Sequence, residues 1–270
     1  EENLSRAERL RIIEKCQNIN ISVLVIPTVH DVEKGIAKIN DLRPVNINDI
    51  IARRFFQFEN KKLNKILNDK VICVTGAGGS IGSELCNQIL SHKPKKIILL
   101  ERSEINLYKI SEELNKNNIS NKNFRFVLGC ATDKSLIDRL FSEEKVQIVF
   151  HAAAYKHVPI VEENPLQGIE NNVISTAVVC NASYKSNVEN FCLISTDKAV
   201  RPTNVMGATK LFSELMVKDL STLSNCKTIF STVRFGNVID SSGSVIPLFR
   251  NQIKIGGPLT ITHADMERYF

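Results

Sequence analysis

The 270-residue sequence predicts an α/β fold, a doubly wound parallel sheet preceded by a smaller α/β extension. Three observations predict it. An apolar, β-branched run from Val71 enters a glycine cluster and then a stretch with Ile81, Leu85 and Ile89 at i, i+4 and i+8, the signature of strand, tight turn and helix. Beyond it, short apolar runs alternate with helical periodicity to residue 234, which right-handed crossovers convert into a parallel sheet covered on both faces. The first 60 residues, by contrast, carry no motif with chemistry in it and read as packing and connection.

In order, Ser5 to Asn18 reads as a helix, with Ser5 and Glu8 as a capping box and an apolar stripe through Leu10 and Ile13. Ile21 to Ile26 is a strand stopped by Pro27. An extended piece around Ile36 to Leu42 and a short helix near Ile47 to Arg54, capped by Asn46 or Asn48, follow. The expected organisation is a 1–60 extension and linker, the remnant of an upstream α/β unit. A 61–235 nucleotide-binding domain and a 236–270 partial substrate-binding region come after it. Within the middle domain the expected elements are helix 80–91, strand 96–100, helix 103–116 (Leu107, Ile110, Leu114) and strand 124–128. Helix 133–141 (Leu136, Ile137, Leu140, Phe141), strand 146–150, helix 165–186, strand 190–195, helix 205–222 and strand 228–234 complete the repeat.

The turn after the first of these strands reads T-G-A-G-G-S-I-G. Gly76 lets the chain reverse, Gly79 lets backbone approach an anion, and Gly82 lets the helix sit close on the strand. Amide groups at the helix start, around Ser80 and Ile81, then hold a pyrophosphate. A glycine triplet alone is weak, but Glu101 lies 19 residues past Gly82 at the end of the next strand, where a carboxylate takes ribose hydroxyls. Together these predict dinucleotide binding. NAD is expected over NADP, because Glu101 would repel a 2′-phosphate, although Arg102 and Ser103 beside it offer groups that could hold one.

Composition sets bounds. A formal charge of +6 suits an anionic ligand, but the basic residues are dispersed, which argues against nucleic acid. Seven cysteines without a C-x-x-C pair, among them Cys73, Cys86, Cys180 and Cys192 inside apolar segments, read as reduced buried thiols of a cytoplasmic protein. The five histidines have no ligand spacing, so no metal is expected. No apolar run has the length of a membrane span and no signal peptide is visible. A first residue Glu1 instead of methionine reads as a piece of a longer protein, whose other parts could carry a membrane anchor.

Ligands of such sheets sit at the carboxyl ends of the strands. After the strand to residue 150 comes His151-Ala152-Ala153-Ala154-Tyr155-Lys156-His157, whose small residues suit a wall for the nicotinamide half of a dinucleotide; the bland alternative is a loop that needs little space. After the next strand come Ser195-Thr196-Asp197-Lys198 and then Met206-Gly-Ala-Thr-Lys210, with Met206 and Lys210 four apart on one helix face. A hydroxyl, a carboxylate and two ammoniums are thus expected beside the cofactor, the kind of cluster in which chemistry is found.

The runs T-G-A-G-G-S-I-G, H-A-A-A-Y-K-H-V-P, N-N-V-I-S-T, S-T-D-K-A-V-R-P-T-N-V-M-G-A-T-K and R-F-G-N-V-I-D-S-S-G-S-V-I-P-L-F resemble those of the extended short-chain dehydrogenase/reductases with a Rossmann-like fold. Within them the chain, over residues 40 to 270, resembles the capsular-polysaccharide-protein-D type of UDP-N-acetylglucosamine 4,6-dehydratase. Met206 stands where most of the superfamily has tyrosine, as in the membrane-anchored, configuration-retaining members. Cys130 and Asp240 depart from the commoner aspartate and glycine, and the chain ends at Phe270 where the family continues.

The resemblance implies a lyase of surface polysaccharide or capsule synthesis, using NAD on a UDP-sugar as a homo-oligomer at the cytoplasmic face of the inner membrane. It implies that Thr196 with Lys210 relays the C4 hydroxyl proton, that Asp197 protonates the leaving C6 hydroxyl and that Lys198 takes the C5 proton, with the last two roles open to exchange. Substrate contacts are implied at Lys156, His157, Asn172, Asn237, Ser241, Ser244, Val245 and Thr262, with Asn172 also supporting the active-site wall. A UDP-sugar 4-epimerase remains open, as does a non-catalytic dinucleotide-binding module.

Overall fold

The computed structural model describes residues 6–19, 21–25, 43–45, 60–116, 123–239, 241, 243–261 and 263. The chain divides into two units, 1–58 and 59–270. In the first, α1 spans Arg6–Asn18, and β1 (Leu24–Val25) pairs antiparallel with β2 (Arg43–Pro44). The strand expected from Ile21 is therefore shorter, with residues 21–23 outside it. Ser5 of the expected capping box, the extended piece at 36–42 and the helix near 47–54 lie outside the described residues.

The second unit opens on α2 (Asn60–Leu67), which the sequence reading did not foresee. Six parallel strands follow: β3 (Val71–Thr75), β4 (Lys96–Glu101), β5 (Phe124–Leu128), β6 (Ile148–His151), β7 (Asn190–Thr196) and β8 (Ile229–Phe235), in the order β5-β4-β3-β6-β7-β8. The order reverses between β3 and β6, and a doubly wound sheet opens its ligand crevice at that switch, outside the carboxyl ends of the strands. This is a Rossmann-like fold.

Period-two alternation along β3 builds both cores. Ile72 and Val74 pack with Ile97, Leu99 and Ile148 under α3 (Ser80–Leu90) and α4 (Glu104–Lys116), through Cys86, Ile89, Ile110 and Leu114. Val71 and Cys73 face the other way and pack with Ile98, Leu100 and Val149 against Ile137, Leu140 and Phe141 of α5 (Lys134–Glu144) and Val179 and Cys180 of α8 (Ser175–Lys185). Burial pushes the Cys73 and Cys86 thiols up to about 12. On α3 the buried face is Gly82, Cys86 and Ile89, so the expected stripe is rotated and Ile81 is only half-buried. Asp133 starts α5 by accepting from the Leu136 amide at 3.0 Å.

Of the expected boundaries that differ, two fail for identifiable reasons. His151 belongs to β6, because its backbone pairs with Thr75 and Leu193 in the neighbouring strands. The single helix expected over 165–186 is α7 (Pro165–Ile169), a π turn at Glu170–Ile174 and then α8, and it is preceded by an unforeseen helix α6 (Val158–Glu163). A π turn carries no hydrophobic period of its own, and it places Asn171 and Asn172 under the crevice. After β7 come a 3₁₀ turn (Asp197–Ala199), then α9 (Val205–Ser221), and α10 (Val245–Lys254) follows β8. Among the described residues no helix is long and apolar enough to cross a membrane.

Candidate active site

Three strand ends assemble the site. At the end of β3 the chain turns at Gly76, whose φ of +65° an L side chain tolerates poorly; a Cβ there would also lie 2.7 Å from the Ala153 Cα. Gly82 is held by contact: a Cβ would meet the Gly76 carbonyl oxygen at 2.1 Å. Gly79 is less crowded, with that same oxygen at 3.3 Å, and its extended backbone precedes Ser80 at the start of α3. The α3 amino end therefore faces the crevice with its first amides. Sequence reasoning missed Gly78, where a Cβ would collide with Asn106 at 2.6 Å and whose amide donates to Glu101 Oε2 at 3.0 Å.

Glu101 is 7% exposed and its second oxygen accepts from the Ser103 amide at 3.0 Å. Each oxygen keeps a free lone pair, so the carboxylate is fixed in place yet still able to accept. Ser103 Oγ accepts from the Asn106 amide at 3.3 Å, which makes it a start signal for α4 as well as an expected cofactor contact. Arg102 donates from Nη1 to Asn171 Oδ1 at 3.0 Å and lies 5.3 Å from the centre of the Tyr155 ring.

The wall after β6 is pinned from below. Asn172 accepts from the Tyr155 amide (2.7 Å) and from Asn171 Nδ2 (3.2 Å), and donates to the Tyr155 carbonyl (3.0 Å) and to Thr209 Oγ1 (3.0 Å). These four bonds use its whole capacity. Asn172 was expected among the substrate contacts and as a support of the active-site wall; its bonds tie residue 155 to α9, which is the supporting role. His151 is fully buried, with Nδ1 2.7 Å from Thr75 Oγ1 and Nε2 3.2 Å from Thr176 Oγ1. Burial, assisted by the nearby Lys210 charge, pushes its pKa down to about 3, so it is a neutral structural imidazole. Ala152 and Ala154 are half-buried along this wall beside Ala153, while Lys156 and His157 are exposed at its end. Partial burial lowers the Lys156 pKa.

At the end of β7, Thr196 accepts from the Lys198 amide at 3.3 Å and donates from Oγ1 to Asp197 Oδ1 at 3.0 Å. Lys198 Nζ reaches the same carboxylate oxygen at 3.1 Å and Asn237 Oδ1 at 3.5 Å. On Asp197 burial pushes the pKa up, but the hydrogen bonds from Lys198 and Thr196 outweigh it and the net direction is down. Gly207 was not singled out by sequence, yet a Cβ there would strike the Lys198 carbonyl oxygen at 2.3 Å; only glycine lets α9 seat on this turn.

Met206 and Lys210 are buried on α9, 3% and 4% exposed, as their spacing predicts. The expected convergence of four polar groups is only partial. Thr196, Asp197 and Lys198 are hydrogen-bonded together, whereas Lys210 joins none of them and has no hydrogen-bond or ion-pair partner among the described residues. Burial drops the Lys210 pKa to about 8, partly offset by Glu214. Glu214 is itself chelated by Arg234 (3.0 and 2.6 Å) and by Ser195 Oγ (2.5 Å). Nothing in the sequence signalled that cluster, in which Ser195 and Glu214 are buried and Arg234 is exposed.

The following loop returns to the same edge. A Cβ on Gly243, whose φ is +69°, would lie 2.4 Å from the His157 ring, so this loop and the wall after β6 touch. Ser241 donates to the Val238 carbonyl at 3.0 Å, Ser244 precedes α10, and Val245 begins it. Ser244 Oγ is buried without a partner among the described residues, an orphan hydroxyl beside a helix amino end. Thr262 and Asp240 lie outside the described residues. Cys130, at the end of β5, accepts from Thr132 Oγ1 at 3.0 Å.

Known proteins share this architecture and its motifs. Residues 72–270 match the family described as Polysaccharide biosynthesis protein. The chain is 44% identical to the Staphylococcus aureus Capsular polysaccharide biosynthesis protein CapD, over 97% of this chain and 44% of the relative. It is 37% identical to a UDP-N-acetylglucosamine 4,6-dehydratase (inverting) of Campylobacter jejuni, over 76% of this chain and 60% of that one. A UDP-glucose 4-epimerase of Rickettsia canadensis is 38% identical over 74% of this chain and 58% of its own length. The solved structure of Pen from Bacillus thuringiensis superposes with a TM-score of 0.70 at 35% identity, covering 75% of this chain and 63% of that one. The chain spans less than half the length of CapD. With the family match running through every strand end of the site, the chain belongs to the polysaccharide biosynthesis protein family.

Proposed function

We propose that the chain is the nucleotide-binding and catalytic part of a nucleotide-sugar 4,6-dehydratase. It would convert UDP-N-acetylglucosamine to the UDP-linked 4-keto-6-deoxy sugar for bacterial surface polysaccharide. The observation that carries this reading is the hydrogen-bonded Thr196, Asp197 and Lys198 group on the same sheet edge as the glycine turn. Removing water across C5 and C6 needs a group that takes the C5 proton and another that protonates the C6 hydroxyl. A 4-epimerase needs neither.

The residues present fit NAD. The Gly76 cradle leaves no space for a Cβ, the Glu101 carboxylate is held where an adenosine ribose would lie, and Lys210 is buried with no hydrogen-bond partner among the described residues, as a group that bonds nicotinamide ribose should be. NAD held there would supply a temporary acceptor for the C4 hydride and a donor of it to C6. The chain's own residues do the rest. Thr196 aligns the C4 hydroxyl and passes on its proton, with the Lys210 charge stabilising the oxygen. Once C4 is a ketone the C5 proton is acidic, Lys198 takes it, Asp197 protonates the departing C6 hydroxyl, and Lys198 returns the proton to C5 when C6 is reduced. Met206 offers no acid or base and shapes an apolar wall. Asn237 and the orphan Ser244 hydroxyl, with Ser241 and Val245 in the same loop and Lys156 and His157 against it, form the substrate side.

Product analysis by NMR after incubation of the whole protein with UDP-N-acetylglucosamine tests this. A 4-keto-6-deoxy sugar supports the reading, whereas a 4-epimer or unchanged substrate sinks it. NAD is expected to bind at least about tenfold tighter than NADP by calorimetry, since a 2′-phosphate would face the fixed Glu101 carboxylate. Thr196→Val, close in shape but without the hydroxyl, is expected to slow the C4 oxidation itself by about 10²-fold or more. Rapid-mixing absorbance at the reduced nicotinamide band reads that step directly, and an unchanged rate would move the relay to a water held by Lys210.

A further inference from the structure

Strand order puts β3 between β4 and β6, so any side chain that runs from the end of β4 to the wall after β6 must cross the carboxyl end of β3, where the glycine turn lies. Arg102 makes that crossing. It leaves the sheet just after Glu101, reaches Asn171 Oδ1 at 3.0 Å and lies 5.3 Å from the Tyr155 ring centre. From there the bonds are continuous: Asn171 Nδ2 to Asn172 Oδ1 (3.2 Å), and Asn172 to both backbone groups of Tyr155 and to Thr209 Oγ1. Thr209 in turn donates to the Met206 carbonyl at 2.7 Å, on the helix that carries Lys210.

We propose that Arg102 is a positioning residue, a brace across the dinucleotide groove that couples its occupancy to the order of the active-site wall. This rests on the nucleotide-binding reading above. The guanidinium has five N–H donors and gives one to Asn171, so others remain for an anionic or hydroxyl-bearing ligand in the groove beneath. A ligand that fixes the guanidinium also fixes Asn171, and with it the Asn172 pin that holds residue 155 and α9. The exposed arginine, the half-exposed Tyr155 ring and the buried asparagine pair form one path from the adenosine end to the catalytic end. A residue that only contacted cofactor would have no reason to share its fork with Asn171.

The Tyr155 amide, bonded to Asn172 Oδ1, reports on this path without any turnover. Hydrogen–deuterium exchange by mass spectrometry on the full chain, with and without saturating NAD, reads it in two places. In the wild type NAD is expected to slow exchange at 76–82 and, by about tenfold, at 154–157, within the range of ordinary site-to-site coupling. Arg102→Met should keep the first slowing and reduce the second to under about twofold, a loss of most of the coupling. Asn171→Ala, which breaks the same path one bond later, should do likewise, and the double variant should be no worse than either single one. Full slowing at 154–157 in Arg102→Met, or additive losses in the double variant, overturns the brace. Absence of slowing at 76–82 in the wild type overturns the nucleotide-binding reading itself, and the brace with it.

Discussion

Asp197→Asn and Lys198→Met are each expected to lower dehydration by the whole enzyme about 10²- to 10⁴-fold, the usual contribution of a positioned general acid or base, while cofactor binding is spared. The two substitutions should fail at different points. Without Lys198 the C5 proton stays, so solvent deuterium should not enter C5. Without Asp197 water does not leave, and C5 exchange continues only in the fraction of complexes in which Lys198 has given its proton to solvent instead. In the free chain Asp197 rests as a carboxylate ion-paired with Lys198, since the hydrogen bonds from Lys198 and Thr196 more than offset burial and hold the Asp197 pKa down. That is the wrong charge state for an acid and a base, and the environment explains how it could change. Both side chains are now partly open to water, 53% for Asp197 and 37% for Lys198. A sugar that excludes that water makes a bare ion pair costly, and transfer of one proton from Lys198 to Asp197 yields the neutral acid and neutral amine the reaction needs. If Asp197→Asn abolishes C5 exchange while Lys198→Met preserves it, the roles are exchanged. Near-normal turnover by either variant removes that residue from the chemistry.

What the sequence revealed, and what it hid, follows from how far each signal reaches along the chain. Strands β3 to β8 were legible because their apolar runs are local, and the jobs of Gly76 and Gly82 were legible because turn geometry admits only glycine there. The Thr196-Asp197-Lys198 group was legible from its place after a strand. Features made by distant segments were not. Gly207 matters because α9 meets the Lys198 carbonyl, and Gly78 because it meets Asn106; neither contact has a local pattern. The Asn171-Asn172 pair is hidden in a π turn, which breaks the helical period that would have marked its face. Asn172 reads as a substrate contact and a support of the wall, and its four bonds, to Tyr155 after β6, to Asn171 in the π turn and to Thr209 on α9, leave none for a ligand. Arg234, Glu214 and Ser195 come together from β8, α9 and β7, a convergence of three segments that spacing along one segment cannot express.

Lys210→Met is expected to make the cofactor-free chain more stable and the enzyme inactive. Lys210 is 4% exposed as a residue, its ammonium has no hydrogen-bond partner among the described residues, and burial lowers its pKa from 10.5 to about 8. A depression of that size corresponds to roughly 3 kcal/mol disfavouring the charged form in the folded chain. The sign follows from proton counting. Between about pH 8 and 10.5 the unfolded chain binds more protons at this lysine than the folded one, so stability rises with pH across that window. Below about pH 8 the cost is present in full. Replacing the side chain with methionine removes it, so urea unfolding at pH 7 should show a gain of up to about 3 kcal/mol, and the alkaline rise seen in the wild type should flatten. NAD should reverse the comparison, because the wild-type ammonium then gains a ribose hydroxyl to bond and the variant has nothing to offer it. A buried cation that destabilises the empty fold and is satisfied by ligand is what a binding group kept for function should look like. A variant that is less stable than wild type at pH 7 without cofactor would mean that Lys210 holds the fold together, and its assignment to the nicotinamide ribose would lose its main support.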